Sequence, residues 1–272
     1  MTAVQRGSLG FGIVRSIDAT RGRARLAELC ELMAQDLGIL LVPHHPESYS
    51  KLVAAFDSGE ISIAWLPPIA SSQLADRGRS TVLAMPVRRG EISYRATIIA
   101  RKGTVSSLGD LSGKRMAWVD PDSSSGYLVP RLYLQGAGVD LTTAFAEERF
   151  LMSHANVVEA VISGRFDTGA TYCSATGIGS SVRGPWGKAD VHLVAMTGTI
   201  PNDTIVVAKS VGADVRSKVL RWLLDLRSPR AKSLCTDLFG ADGFRVSSPE
   251  HFEPLRRMMI AARARGSLPP PA

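Results

Sequence analysis

The sequence predicts an α/β protein of two lobes joined by two extended crossovers. Three observations predict it. Apolar runs alternate with stretches of helical periodicity along most of the chain, the pattern of strands covered by helices. The alternation breaks at "TVLAMPVRRGEISYRATIIARK" (81–102), where two β-like runs meet at "RRGE" with no helix between them. It then restarts, and a second long β-like run, "VHLVAMTG" (191–198), precedes a helix-rich tail.

Each element has its own signal. "LGFGIV" (9–14) is a short apolar run ending near a polar turn. "TRGRARLAELCELMAQDLG" (20–38) carries Leu26, Leu29, Cys30, Met33 and Leu37 at helical spacing. "ILLVP" (39–43) reads as a buried strand stopped by proline, "ESYSKLVAAFDSGE" (47–60) as a helix closed by Gly59, and "ISIAWLPP" (61–68) as a third strand. The middle of the chain repeats the alternation. "GKRMAWV" is a strand, "SSSGYLVPRLYLQGAG" a helix, "RFLMS" a strand, "NVVEAVISG" a helix and "FDTGATY" a strand. "TIVVAKS" follows, then helices in "ADVRSKVLRWLLDLR" and "PRAKSLCTDLFGADG", and a frayed "GSLPPPA". Alternation of this kind predicts parallel sheets with helices on both faces. The expected division is 1–86 with 198–272 for the first lobe and 94–190 for the second, with hinges near 86–94 and 190–198. Two lobes on two strands make a cleft that suits a small polar ligand.

The totals narrow the function classes. Of 272 residues, 45% are hydrophobic, enough for a substantial core, and no apolar run is long enough to span a bilayer. The net charge is +7, but Lys and Arg are dispersed, without aromatic interleaving or a reader motif, so no nucleic-acid partner is expected. A basic surface also favours anionic ligands. Cys30, Cys173 and Cys235 are widely spaced and odd in number, which predicts buried free thiols, no disulfide framework and no metal site. His44 and His45 have no carboxylate or cysteine at ligand spacing and read as loop residues. No cofactor is expected. "MTAVQRGSLGFGIVRS" holds no apolar core of signal-peptide length, so the chain as written reads as cytoplasmic unless it is a trimmed mature form.

The segment with most chemistry is "WVDPDSSSGYLVP" (118–130). It places three hydroxyls before a glycine, between a strand and a helix. Pro130 tolerates only the first turn of a helix, so regular helix is expected from about Ser125 or Gly126. The N–H groups from Ser124 to Tyr127 are then orphan donors at a helix N-terminus. Gly126 would admit an anion close to the backbone, and the hydroxyls of Ser123, Ser124 and Ser125 add donors. The plainer reading is one N-cap serine with two idle neighbours. A nucleophilic serine lacks the glycine pattern and triad order it would need.

This segment resembles the phosphonate-binding proteins of ABC importers, a group that also takes phosphite and phosphate. The resemblance extends to "SYSKLVAAFDSGEISIAWLPP", "SYRATIIARK", "SSLGDLSGKRMAW", "FLMSHANVVEAVISGRFDTGA" and "IPNDTIVV", and covers about residues 9–245. It implies the type II periplasmic-binding fold, with two lobes closing on the ligand.

The family's oxyanion-holding run corresponds to Ser123, Ser124 and Ser125. Its two ligand tyrosines correspond to Tyr49, otherwise a half-buried helix residue, and Tyr94, otherwise a strand residue packing at the hinge. Of the two carboxylates that hold the ammonium of aminophosphonates, one corresponds to Asp203, otherwise a turn cap. The other position carries Ser174. His154 starts a helix and would either face the cleft or cap that helix; Asp167 would end a strand near the cleft. The resulting expectation is a non-catalytic, monomeric solute-binding protein for a small phosphorus oxyanion, closing for import through an ABC permease or for sensing. It is periplasmic by resemblance and does not insert into the membrane. The alternatives are a cytoplasmic enzyme on the same fold and an interaction domain that has lost its ligand.

Overall fold

The computed structural model describes residues 8–14, 19–174, 176 and 182–264. In chain order the elements are β1 (Leu9–Gly12), α1 (Ala19–Leu37), β2 (Leu41–His44), α2 (Tyr49–Asp57), β3 (Ile63–Leu66), α3 (Pro68–Asp76), β4 (Ser80–Val87), β5 (Ser93–Arg101) and β6 (Lys114–Trp118). Then come α4 (Val129–Gly136), β7 (Phe145–Phe150), α5 (His154–Ile162), β8 (Thr168–Ser174), β9 (Val191–Pro201), β10 (Thr204–Ala208), α6 (Ala213–Asp225), α7 (Pro229–Phe239), β11 (Gly243–Val246) and α8 (Glu253–Ala264). The described residues form two compact units, 8–92 with 202–252, and 93–201 with 253–264.

The first unit holds a six-stranded sheet in the order β11-β4-β10-β3-β1-β2. β1 runs parallel to β2 and β3, while β10 is antiparallel to β3 and β4, and β11 to β4. The sheet is therefore mixed, where alternation alone predicts a parallel one. β10 belongs to the returning chain and enters in the opposite sense. β2 does not stop at Pro43 but continues to His44, and Val42 is 37% exposed. It is an edge strand, where a missing N–H need not break a ladder. Leu26, Leu29, Cys30 and Met33 put the inner face of α1 into the core beside Phe11, Ile63 and Leu66. Each such side chain contributes roughly 1.5–3 kcal/mol by leaving water. Ser48 caps α2 by accepting the Lys51 N–H at 3.2 Å.

The second unit holds a five-stranded sheet in the order β7-β6-β8-β5-β9. β6 is parallel to β7 and β8; β5 is antiparallel to β8 and β9. Successive residues point to opposite faces. Met116 and Trp118 pack with Ile98, Leu134 and Ala170 on one side, and Ala117 and Val119 with Val157, Ala160 and Phe166 on the other.

Two boundaries differ from the sequence reading. The chain returns to the first unit after Pro201, not across 190–198, because β9 stays paired with β5 from Val191 to Pro201. α8 groups with the second unit, whereas the sequence reading gives 198–272 whole to the first. Leu255 and Met259, one helical turn apart, are buried, but periodicity does not say against what. The three cysteines are buried free thiols, with burial pushing Cys30 and Cys235 up to about 12 and Cys173 to about 11.

Candidate oxyanion site

β6 delivers the chain to a tight turn. The Asp122 N–H donates to Asp120 Oδ1 at 2.8 Å and the Ser123 N–H to the Asp120 carbonyl at 3.0 Å. Residues Ser124–Leu128 then form one π-helical turn, with the Leu128 N–H reaching back to the Ser123 carbonyl at 2.9 Å. Regular helix starts only at Val129, later than the Ser125 or Gly126 expected. Pro130 explains the delay. In an α-helical register its missing N–H would face the Gly126 carbonyl, and its ring would press on it. That carbonyl turns instead to the Val119 N–H, at 3.1 Å.

Gly126 has a different role from the one expected. Its N–H donates to Ser123 Oγ at 3.0 Å and is not open to a ligand. A Cβ there would lie 2.3 Å from Val119 Cγ2 and 2.8 Å from Ser123 Oγ. Glycine is required so that the turn can lie against the end of β6.

The three serines differ in state. All are buried, with exposures of 5%, 2% and 4% for Ser123, Ser124 and Ser125. Ser123 is the capping residue of the turn. The Ser124 hydroxyl is buried with no hydrogen-bond partner. A buried polar group left unpaired costs about 1–3 kcal/mol. The N–H groups of Ser124 and Ser125 open the turn, ahead of any of its carbonyls that could accept them.

The turn packs against β8 and β5. Thr171 on β8 is fully buried, paired in register with Thr97 on β5, and its hydroxyl lies 2.9 Å from His154 Nδ1. His154 is the first residue of α5, but the cap is Ser153, which accepts the Asn156 N–H at 3.1 Å. The capping reading of His154 therefore gives way to a hydrogen-bonded ring, set edge-on to Tyr172 at 4.9 Å between centroids. Desolvation pushes this imidazole down to about 4, although the ring keeps some surface, so it is neutral at pH 7. Because β6, β7 and β8 are parallel, the serine turn after β6, the start of α5 after β7 and the end of β8 share one edge of the sheet. The Leu151 and Met152 N–H groups bond to the Trp118 and Val119 carbonyls at 2.9 and 2.7 Å and hold these segments together.

Tyr94 also lies in this unit, on β5, opposite Ser174 of β8. The Ser174 hydroxyl donates to the Thr176 carbonyl at 2.8 Å and accepts the Arg183 N–H at 3.1 Å, so it is engaged locally. Asp167 precedes β8 rather than ending a strand. It pairs with Arg115 at 2.9 and 3.1 Å at the sheet edge remote from the serines. That pairing holds its carboxyl below the usual range.

Tyr49 and Asp203 lie in the first unit. Tyr49 opens α2 and packs half-buried on the core. Asp203 bonds to Arg88 Nη2 at 3.1 Å, and Arg88 also donates to the Phe239 carbonyl at 2.9 and 3.1 Å. Desolvation nevertheless raises the Asp203 pKa. An ion pair thus stands where a local turn cap was the plain alternative. Sequence reasoning missed Thr171 and Arg88. A threonine inside the strand run "FDTGATY" was the available signal for the first. The second sits in "RRGE", with nothing local to tie it to residue 203.

A family model described as "ABC transporter, phosphonate, periplasmic substrate-binding protein" matches residues 11–252. The phosphonates-binding periplasmic protein of Escherichia coli (strain K12) is 22% identical over 269 residues, 96% of this chain and 79% of the relative. Two solved structures share the fold. The binding protein component of an ABC phosphonate transporter from Pseudomonas aeruginosa superposes with a TM-score of 0.78 at 20% identity, covering 95% of this chain and 87% of that one. A protein from Prochlorococcus marinus (MIT 9301), solved in complex with methylphosphonate, gives 0.77 at 18% identity, covering 96% and 99%. No described helix is long and apolar enough to cross a membrane. With its two mixed α/β units and the family match over most of its length, the chain belongs to the periplasmic substrate-binding proteins of ABC phosphonate transporters.

Proposed function

We propose that this chain binds a small phosphorus oxyanion — a phosphonate, phosphite or phosphate — at the serine turn of its second unit. The observation that carries the reading is the Ser124 hydroxyl, buried and without a partner at the opening of a helical turn. A tetrahedral oxyanion supplies the missing acceptor for it, and for the Ser124 and Ser125 N–H groups. The helical dipole favours negative charge at that end. Ser123 shapes the turn, and Gly126 lets it pack. His154, Tyr94 and Tyr49 complete the proposed set of ligand-binding residues; Asp203 would meet only a cationic group of a ligand, and it is engaged by Arg88. The protein performs no chemistry on its ligand in this proposal. It works as a monomer in the periplasm, its two units closing on the ligand so that an ABC permease reads the loaded form.

A thermal-shift panel tests the reading. A ligand at a hundred times its Kd stabilises by about 2.7 kcal/mol. Methylphosphonate, phosphite or phosphate should raise the melting temperature. No shift with any of the three at millimolar concentration contradicts the proposal.

A further inference from the structure

A side-chain network surrounds Tyr127, the aromatic residue of the serine turn. Tyr127, inside the turn, stands edge-on to Trp118 at 5.4 Å and to Phe150 at 4.9 Å between ring centroids. The Arg131 guanidinium lies 5.3 Å from the centre of the Tyr127 ring and 5.7 Å from that of Trp118. Glu148 Oε2 accepts from both Arg131 Nη1, at 2.5 Å, and the Trp118 indole N–H, at 2.7 Å. Three elements are joined in this way: the end of β6, the edge strand β7 and the first turn of α4. All three clasp the one aromatic side chain of the π-helical turn.

We infer that Arg131 and Glu148 are positioning residues for ligand binding: they clamp Tyr127 and thereby hold the Ser124–Ser125 donors in their binding geometry. The inference rests on the oxyanion reading above. A π-helical turn is a rare backbone state and is frequent at functional sites. Here it must also keep a hydroxyl buried without a partner until the ligand arrives. Pro130 and the Gly126–Val119 contact bar the ordinary helical register, but they do not fix where the serines point. The guanidinium over Tyr127 ties the far side of the turn to the sheet edge. Glu148 fixes that guanidinium, and its second hydrogen bond ties it to Trp118, which is fully buried. Preorganised donors lose less freedom on binding than mobile ones.

The test is a double-mutant cycle read by calorimetry with methylphosphonate. Arg131→Met keeps much of the side-chain volume and removes the charge and the stack; Glu148→Gln keeps an acceptor for Trp118 and removes the ion pair. Each should weaken binding, Arg131→Met by roughly tenfold, with the melting temperature of the unliganded protein little changed. In a Ser124→Ala background the further loss from Arg131→Met should be smaller than in the wild type, because one of the donors that the clamp positions is gone. Arg131→Lys, which keeps the charge without the planar stack, should recover part of the affinity. Wild-type affinity in both Arg131→Met and Glu148→Gln overturns the inference, and so does an undiminished loss in the Ser124→Ala background. If Arg131→Met fails to fold, Glu148→Gln, alone and with Ser124→Ala, decides the question by the same two criteria. Absence of methylphosphonate binding by the unmodified protein is a different result, which removes the functional reading and the clamp with it.

Discussion

Replacing Ser124 by alanine should move stability and affinity in opposite directions. Ser124 is 2% exposed, and its buried hydroxyl has no hydrogen-bond partner. In the unliganded protein it contributes an unsatisfied polar group, at a cost of about 1–3 kcal/mol. Alanine removes that group and leaves only a small volume change, so the unliganded variant should be as stable as the wild type or more stable. In the proposed complex the same hydroxyl would donate to a charged acceptor, a bond worth about 1.5–3 kcal/mol. Its loss should therefore weaken methylphosphonate binding by roughly 10- to 150-fold. Thermal denaturation without ligand reads the first effect, and calorimetric titration reads the second. A destabilised variant of unchanged affinity would rule out the ligand role, since it would make Ser124 a structural cap like Ser123.

Gly126→Ala should destabilise by about 1–3 kcal/mol through overpacking, since its Cβ would meet Val119 Cγ2 at 2.3 Å. Adding Val119→Ala should restore part of the loss; no destabilisation in chemical denaturation would show that the turn does not rest on β6 in this way. For His154, burial lowers the pKa from 6.5 to about 4. The unfolded chain then binds the extra proton first, so stability is present above pH 6.5 and is lost as the pH falls towards 4. The loss is at most about 3 kcal/mol, and smaller to the extent that water reaches the ring. His154→Gln should flatten the profile between those values, and an unchanged slope would contradict the assignment. 2-Aminoethylphosphonate should bind no more tightly than ethylphosphonate, because Asp203 is already paired with Arg88 and the Ser174 hydroxyl is engaged locally. An unpaired buried ammonium is costly. A tenfold or greater preference for the aminated ligand in side-by-side calorimetry would show that another carboxylate serves it.

The parts of this fold legible in the sequence are those governed by local physics. The inner face of α1 is written in the spacing of Leu26, Leu29, Cys30 and Met33, and all four are buried. The break at "RRGE" marks the place where β4 gives way to β5 with no helix between. The serine run suggests the anion site proposed above, because hydroxyls and a glycine fall there between a strand and a helix. What stayed hidden depends on partners remote in the chain. The mixed character of both sheets follows from strands that enter in the opposite sense, which periodicity does not encode. Pro130 signals an interrupted helix, yet the π-helical register follows from the Gly126 carbonyl meeting the Val119 N–H across the turn. Arg88 and Asp203 are 115 residues apart, and Thr171 and His154 are 17 apart. No local pattern announces either pair. For Gly126 the residue type was the expected one, but its cause lies in the packing of Val119.

If the opening of the serine turn holds a phosphorus oxyanion, its two serines must matter to affinity. The most direct test is titration of the unmodified protein and of the double variant Ser124→Ala/Ser125→Ala with methylphosphonate, followed by calorimetry at constant pH and ionic strength. The expected result is saturable binding by the unmodified protein and an affinity at least about tenfold weaker in a folded double variant. Equal affinity in the two proteins would place the ligand elsewhere and contradict the proposed site.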